Sequence, residues 1–258
     1  MAEPGIERDV VVGQAPGLTL HADVHLPAKG TGNGGAVVFF HGGGFRAGTY
    51  SAIAARISPF VRLGYVAVAA QYRLAHQGTW PAQLEDAQAA MRFARTNAGR
   101  WGVDPAKVAV GGFSAGGLLA LLTAGQPGEG GAPAACLAYY PPSKANADAG
   151  GIVPQSAGRE AVLTATDALY HVRAGYPPTV LIHGNRDVTV APEASVRVYE
   201  ALRAADVPAE LHLLDGVPHA FDRHPELAEG CAGQAHLFLD RHVLNPRTYP
   251  PFEPTPGA

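Results

Sequence analysis

Short, continuously apolar runs alternate with segments of helical periodicity along most of the chain, and this alternation constrains the fold more than any other feature. Brief apolar runs flanked by turns are typical of strands that are buried on both faces. Alternation of such strands with helices predicts a mostly parallel sheet covered by helices on both sides. The eight predicted strands lie at 10–12, 18–26, 36–40, 65–70, 107–111, 134–139, 179–183 and 209–214, and the predicted helices at 51–63, 81–100, 115–124, 193–205 and 233–243, with an interruption or kink expected at Pro59.

The length and composition of the chain fit one folded domain. Its 258 residues are 47% hydrophobic and 16% charged, which excludes a disordered chain. No internal repeat or linker divides the sequence, so we expect a single domain over residues 1–258. The segment 141–176 has scattered Gly and Pro and weak periodicity, and it is expected to form either a short lid insertion or an ordinary surface excursion.

Charge, cysteine content and hydropathy exclude several classes of protein. The formal net charge is −3 and the sequence has no basic stripe, which argues against a nucleic-acid partner. Its two cysteines, Cys136 and Cys231, are too few for a disulfide framework or a four-cysteine metal site. The first residues form no signal peptide and no apolar run reaches about 18 residues. We therefore expect a cytoplasmic protein that has a small-molecule substrate and no membrane partner.

The sharpest chemical signal is the pentapeptide Gly112-Phe113-Ser114-Ala115-Gly116, which matches G-x-S-x-G. An apolar strand precedes it and an Ala/Leu-rich helix follows it, as in a nucleophile elbow. A serine on such a sharp turn is exposed at the end of the sheet, and glycines two positions away let neighbouring backbone approach. Ser114 is therefore the predicted nucleophile, and the Ala115 N–H is aimed at the reacting oxygen.

A second glycine-rich segment, His41-Gly42-Gly43-Gly44-Phe45, directly follows the strand predicted at 36–40. Three glycines leave backbone N–H groups unshielded, so that they could converge with the Ala115 N–H on an oxyanion. A flexible turn would have the same composition, but the position ahead of the elbow favours an oxyanion loop.

A nucleophilic serine needs a base, and the base needs a group that orients it. His219 lies in a short loop after the last predicted strand, where α/β sheets place their sites. Asp187 follows the strand 179–183, which gives the chain order Ser114, Asp187, His219 typical of α/β-hydrolases. Of the rival acids, Asp215 fits a turn and Asp222 a surface position. His183, at the end of a buried strand, is expected to brace a loop. His21 and His25 lie on the polar phase of a strand, and the histidines expected at surface or satisfied positions are His171, His212, His224, His236 and His242.

These motifs together resemble the carboxylesterases of the α/β-hydrolase fold, in the branch that includes the hormone-sensitive-lipase family and the BD-FAE-like esterases. The resemblance runs roughly from residue 18 to residue 243. In that family the residue before the nucleophile is usually Asp, whereas here it is Phe113, and an acidic residue usually precedes Tyr-Arg-Leu, where this chain has Gln71. The matching pieces are HGGGF at 41–45, YRLA at 72–75, WPAQLEDA at 80–87, WGVDPAKVAVGGFSAGG at 101–117, PPTVLIHGNRD at 177–187 and GVPHAF at 216–221.

The resemblance implies a three-layer α/β-hydrolase fold with an eight-stranded, mostly parallel sheet and a small or absent cap. It also implies a serine carboxylesterase that acts on short-chain acyl esters with no cofactor or metal. The oxyanion hole would be formed by Gly43, Gly44 and Ala115, with Gly42 left open as a contributor.

Three other functions stay open from the sequence. One is an amide or formamide hydrolase with the same triad, and another is a non-catalytic ligand receptor on this fold. The third is a hydrolytic metal site on His219, His224 and Asp222, although no H-E-x-x-H spacing supports it. Trp80, Phe45 and Tyr140 are expected either to line an apolar substrate pocket or to pack in the core.

Overall fold

One eight-stranded sheet organises the computed structural model, which describes residues 3–145, 151–154 and 158–250. The order across the sheet is β1-β2-β4-β3-β5-β6-β7-β8. The first hairpin and the β2–β4 pair are antiparallel, whereas the remaining neighbours are parallel. The predicted eight-stranded, mostly parallel sheet is therefore confirmed. Its strands are β1 Gly5–Ala15, β2 Leu18–Leu26, β3 Ala36–Phe40, β4 Val66–Ala70, β5 Val108–Phe113, β6 Cys136–Tyr139, β7 Thr179–Gly184 and β8 Ala209–Leu214.

Helices cover both faces of this sheet. In β3, Val37 and Phe39 belong to the buried cluster that contains residues of the helices at 54–62 and 225–239, whereas Ala36, Val38 and Phe40 belong to the cluster that contains residues of the helices at 82–97 and 115–125. This period of two is what a strand buried on both faces requires. None of the described helices is long and apolar enough to cross a membrane. The helices are α1 Ala54–Arg62, α2 Ala82–Asn97, α3 Ala115–Gly125, α4 Arg159–Ala165, α5 Ala168–His171, α6 Glu193–Ala204 and α7 Pro225–Leu239.

Helix α3 lies at the centre of the molecule, against β5 and β6. All of its residues are buried. A helix with apolar or small side chains on every face has no polar face to expose to water, so it is stable only when it is buried in the protein. This burial fixes the first turn of α3, and with it the residue that precedes the helix, relative to the sheet.

Two elements are longer than the sequence predicts. Strand β1 spans Gly5–Ala15 rather than 10–12, because its register against β2 shifts twice and its largely exposed residues hide the strand periodicity. Helix α7 begins at Pro225 rather than at 233. Gly230 and Gly233 lower its intrinsic propensity, but Cys231, Ala232 and Ala235 are buried in the core and stabilise the early turns.

Of the interruption or kink expected at Pro59, the interruption is not present, because α1 runs through this residue from Ala54 to Arg62. A proline has no N–H and leaves the carbonyl four residues earlier, here that of Ala55, without its helical donor. The Ser58 hydroxyl donates to this carbonyl at 2.9 Å. A side chain thus replaces the missing backbone hydrogen bond.

The segment 141–176 is not structureless where it is described. It contains α4 and α5, and Ile152 and Val153 are buried in the core. The Trp80 N–H donates to the Ile152 carbonyl at 3.1 Å, and the Tyr176 hydroxyl donates to the Leu121 carbonyl at 2.6 Å. Residues 146–150 and 155–157 of the predicted lid lie outside the described part of the chain.

A buried ion pair ties the loop after β4 to α2. The Arg73 guanidinium donates to both carboxylate oxygens of Asp86, with N–O distances of 2.8 to 3.0 Å. The Arg73 N–H donates to Asp86 as well, at 2.7 Å. Both side chains are almost fully buried. The same guanidinium reaches Glu85, whose side chain is 60% exposed. Arg73 of the Tyr-Arg-Leu-Ala motif and Asp86 of the motif at 80–87 are therefore structural here.

We expect Asp86→Ala to lower the free energy of unfolding by about 3–5 kcal/mol, because it leaves the buried Arg73 charge without its partner. Glu85→Ala removes the exposed contact to the same arginine and should cost less than about 1 kcal/mol. Urea unfolding followed by circular dichroism measures both. Equal costs for the two variants would contradict the structural role of the buried pair.

Candidate active site

Ser114 stands alone on the sharp turn between β5 and α3. Its φ and ψ of 56° and −119° place a non-glycine residue in a strained conformation that is common at functional sites. The turn is held by hydrogen bonds from the Ser114 N–H to the Tyr139 carbonyl at 2.9 Å and from the Leu118 N–H to the Ser114 carbonyl at 3.0 Å. The predicted elbow therefore forms.

The two glycines of the pentapeptide are required by close backbone contacts. A Cβ on Gly112 would lie 2.1 Å from the carbonyl oxygen of Gly116, and a Cβ on Gly116 would lie 2.2 Å from that of Phe40. Both distances are far below van der Waals contact, and backbone atoms have little room to shift. Glycine at these positions lets α3 start directly against the ends of β3 and β5.

The three polar residues predicted from distant parts of the sequence meet at this turn. His219 Nε2 lies 3.0 Å from Ser114 Oγ, and His219 Nδ1 lies 2.5 Å from Asp187 Oδ2. Asp187 follows β7 and His219 follows β8, at the carboxyl ends of parallel strands, which lie at the same edge of the sheet as the end of β5. The arrangement aligns a hydroxyl, an imidazole and a carboxylate in series.

Asp187 is a hydrogen-bonding hub with a side chain that is fully buried. Its Oδ1 accepts the N–H groups of Thr189 and Val190, both at 2.9 Å. Burial alone would raise the pKa of Asp187, but the Val190 N–H, His219 and the Thr189 N–H together hold this pKa below its usual value. The carboxylate is thus stabilised in its charged form.

His183 supports this carboxylate from the other side. Its Nε2 lies 3.0 Å from the Val190 carbonyl and 3.2 Å from Asp187 Oδ2, and its Nδ1 lies 2.7 Å from Ser195 Oγ. Since both neighbours of Nε2 are acceptors, Nε2 carries the proton and Nδ1 accepts from the Ser195 hydroxyl. Burial lowers the pKa of His183 and keeps the ring neutral. The expectation that His183 braces a loop is confirmed, and its contact with Asp187 was missed because it depends on the fold of residues 187–190.

The two rival carboxylates are engaged elsewhere. Asp215 accepts a hydrogen bond from Asn185 at 2.8 Å, in keeping with its predicted turn role. The predicted surface position of Asp222 is wrong, because its side chain is buried and accepts from the Tyr140 hydroxyl at 2.5 Å. Burial raises the pKa of Asp222, although Arg56 and Tyr140 oppose the shift. The local sequence pattern gave no sign of these partners, which come from distant elements.

The glycine-rich loop approaches Ser114 from β3. A Cβ on Gly42 would lie 3.1 Å from that of Ser114, and one on Gly43 would lie 2.0 Å from the Ala47 carbonyl oxygen. Gly43 and Gly44 have φ values of 120° and 62°, which favour glycine. Within the described chain, the N–H groups of Gly43 and Gly44 have no acceptor. The Ala115 N–H, at the first position of α3, has no acceptor within the helix either.

His41 and Tyr72 hold the start of this loop. His41 Nδ1 lies 2.7 Å from the Gly42 carbonyl, and the Tyr72 hydroxyl donates to the His41 carbonyl at 2.9 Å. Their rings stack with centroids 4.5 Å apart. Burial lowers the pKa of His41, which keeps the ring neutral. The sequence analysis did not identify Tyr72 as part of the site, although its place in the Tyr-Arg-Leu-Ala motif was a usable signal.

A cavity of about 1440 Å³ opens over Ser114 and His219. Phe45 and Tyr140 line it and are also buried in the core, so both alternatives hold for them, whereas Trp80 packs in the core and is not part of the lining. Parts of the segment 142–152 and of α1 complete the wall. Among the described residues, no group of three His, Cys, Asp or Glu side chains is arranged to hold a metal ion.

The family model and the sequence relatives that match this chain all indicate esterases. The BD-FAE family model matches residues 22–153, half of the chain. Carboxylesterase NlhH of Mycobacterium tuberculosis is 29% identical over 83% of this chain and 72% of its own length. Esterase LipI of the same organism is 31% identical over 72% of this chain and 65% of its own length.

Solved structures agree with the sequence relatives. The native form of Est2, a thermophilic esterase from Thermogutta terrifontis, superimposes with a TM-score of 0.77 and 29% identity over 93% of this chain and 94% of its own. Structures of Est2 have also been solved with propionate or butyrate bound and after phosphorylation by paraoxon. This chain therefore has the α/β-hydrolase fold, is a carboxylic ester hydrolase, and belongs to the BD-FAE family.

Proposed function

We propose that this enzyme hydrolyses short-chain acyl esters through a covalent acyl-enzyme formed on Ser114. The observation that carries the proposal is the aligned series Asp187–His219–Ser114, with contacts of 2.5 and 3.0 Å, in which His219 and Ser114 line the cavity. These distances are those at which an imidazole accepts a proton from a hydroxyl while a carboxylate orients it.

In the first step Ser114 Oγ attacks the ester carbonyl carbon while His219 Nε2 accepts the hydroxyl proton. The carbonyl π electrons move to the oxygen and give a tetrahedral oxyanion. When the oxyanion collapses, the bond to the alcohol oxygen breaks and His219 returns the proton to the leaving alcohol. Asp187 accepts the Nδ1–H throughout, which fixes the tautomer and stabilises the imidazolium.

The oxyanion would be stabilised by the backbone N–H groups of Gly43, Gly44 and Ala115. Two observations support this assignment: the groups surround the cavity above Ser114, and the glycine N–H groups have no acceptor within the described chain. A donor aimed at the developing charge contributes about 2.7–4 kcal/mol to transition-state stabilisation, judged from a measured oxyanion hole. The positive end of the α3 dipole adds to this field.

In the second step water replaces the alcohol. His219 accepts a proton from the water as its oxygen attacks the acyl carbon. The second oxyanion collapses, Ser114 Oγ leaves and takes the proton from His219, and the carboxylic acid is released. This chain's own groups carry every proton transfer in the proposed cycle.

The preference for short acyl chains is supported by the relatives and by the cavity wall. Est2, which has this fold, has been solved with propionate and with butyrate bound. In this chain the described parts of 142–152 line the cavity, and Ile152 is anchored in the core. We therefore propose that the segment 141–176 acts as a short lid that limits the room for the acyl chain.

Ser114→Ala should lower kcat for p-nitrophenyl acetate by at least ~10⁴-fold, because it removes the nucleophile. Paraoxon should add to the peptide that contains Ser114 in the native enzyme, and mass spectrometry should find no adduct in the variant. Circular dichroism provides the folding control. Activity retained by Ser114→Ala, with the adduct on another serine, would contradict the assignment.

Lowering the pH should lower kcat/KM, because only a neutral imidazole can accept the Ser114 proton. The pKa of Asp187 is held below its usual value, so its carboxylate stays charged at pH 5 and does not account for a loss near neutrality. We expect kcat/KM to rise with pH as the fraction of enzyme with a neutral base increases. Initial rates on p-nitrophenyl acetate between pH 5 and 8 measure this. A flat profile, under conditions in which chemistry limits the rate, would exclude a histidine base.

Asp187→Asn should lower kcat by about 10³–10⁴-fold, because the amide can favour the wrong imidazole tautomer and removes the charge that stabilises imidazolium. Asp215→Asn is the matched control, since Asp215 bonds only Asn185 in the described chain. Its effect should stay within about threefold. If Asp215→Asn caused the large loss and Asp187→Asn did not, with both variants folded, the orienting acid would be misassigned.

A further inference from the structure

The cavity that holds Ser114 has a positive charge balance among its described residues. Two carboxylates line it, Asp222 and Glu229, and each faces an arginine. Five cationic side chains line the same cavity, namely Arg56, Arg62, Lys144, Arg197 and Arg223. Of these, Lys144 and Arg197 have no acidic partner in the part of the chain that the structure describes, and Arg223 forms no salt bridge there but adds to the positive field at Asp222. A cleft with this balance attracts anions.

Arg56 is the cation placed deepest. Its side chain is only 13% exposed, and the guanidinium carbon lies 5.4 Å from the centre of the Phe113 ring. Its Nη1 lies 3.4 Å from the Tyr140 hydroxyl, and its Nε lies 3.7 Å from Asp222 Oδ2, beyond hydrogen-bonding distance. A guanidinium has five N–H donors, and Nη2 has no acceptor among the described residues. Arg56 therefore has N–H donors without a hydrogen-bond acceptor among the described residues.

Arg56 is also close to the reacting groups. Phe113, over which it lies, directly precedes Ser114. Tyr140, which its Nη1 contacts, packs edge-on against the His219 ring with centroids 4.7 Å apart. One tyrosine side chain thus separates Arg56 from the imidazole. Because Ser114, Tyr140 and Arg56 line the same cavity, a substrate whose ester lies at Ser114 has room to extend towards the guanidinium.

We propose that Arg56 binds a carboxylate carried by the substrate a few bonds from the ester, so that the enzyme prefers anionic short esters to neutral esters of the same shape. This proposal rests on the proposed ester hydrolysis at Ser114. A guanidinium binds a carboxylate through two parallel N–H bonds, and this pair is strongest where water is excluded. Asp222 holds Arg56 on this wall, and the unpaired cations of the cavity add to the attraction.

The substrate class would be monoesters of short dicarboxylic acids or acylated hydroxy acids, which share this chemistry and differ in the side of the ester that carries the charge. For the acyl side, monoethyl succinate, glutarate and adipate are compared with ethyl 4-oxopentanoate, 5-oxohexanoate and 6-oxoheptanoate, with ethanol release as the readout. Each keto ester replaces the carboxylate by a neutral acetyl group of similar shape. For the alcohol side, acetoxyacetate is compared with acetoxyacetone, with acetate release as the readout.

We expect the native enzyme to favour the charged member of at least one pair by about tenfold or more in kcat/KM, the factor that a charged hydrogen bond provides. Arg56→Gln should lower this charged-to-neutral ratio by about tenfold or more. The control is Arg62→Gln on the same helix. Arg62 is half exposed and paired with Glu229, so its removal should change the ratio by less than about threefold. The ratio corrects for any general loss of activity in either variant.

The proposal is overturned if no pair shows a preference for the charged member, or if Arg56→Gln leaves the ratio unchanged. Should Arg56→Gln fail to fold, calorimetric titration of the native enzyme replaces it: glutarate should bind about tenfold more tightly than glutaramide, and equal affinities overturn the proposal. Ser114-dependent hydrolysis of the keto esters without a charge preference defeats this inference alone. Absence of Ser114-dependent hydrolysis of every ester defeats the proposed function instead.

Discussion

The close approach of helix α3 to the ends of β3 and β5 is the contact on which the rest of the site depends. A Cβ on Gly112 or Gly116 would collide with backbone carbonyls at about 2 Å, so only glycine lets the helix begin there. The approach forces Ser114 into its strained conformation and brings Gly42 against it. Packing of the wholly buried helix α3 supplies the energy that holds this strain. Ser114 is therefore positioned by backbone contacts.

A buried carboxylate completes the site, and it is stable because every side of it is hydrogen-bonded. Asp187 accepts two backbone N–H groups and faces the imidazoles of His183 and His219. A buried charge without such partners would become protonated, and the imidazole would lose its orienting acceptor. The loop after β7 thus holds the Asp187 carboxylate and stabilises its negative charge. His183, which takes no part in the proposed proton transfers, helps to position the carboxylate that orients His219.

Two buried arginines show how the same residue type supports different roles. Arg73 reaches both oxygens of Asp86 at 2.8 to 3.0 Å, and its pair with Asp86 joins the loop after β4 to α2. Arg56 faces Asp222 at 3.7 Å and the Tyr140 hydroxyl at 3.4 Å, which leaves donors of its guanidinium unused beside the cavity. A satisfied ion pair stabilises structure, whereas an incompletely satisfied cation in a cleft is available to a ligand.

The sequence by itself determined the elements whose signals are local: the apolar runs of the sheet, the elbow at Ser114, and the chain order of Ser114, Asp187 and His219. Each depends on neighbouring residues, because strand burial, helix starts and glycine turns are set within a few positions of the chain. The tertiary structure alone decided that Asp222 is buried, that Arg56 lies beside the cavity, and that α7 begins eight residues before its periodic stretch. These features arise from contacts between segments far apart in sequence. Burial and pairing of a charged side chain depend on which distant groups the fold brings to it. The local sequence pattern does not predict those groups.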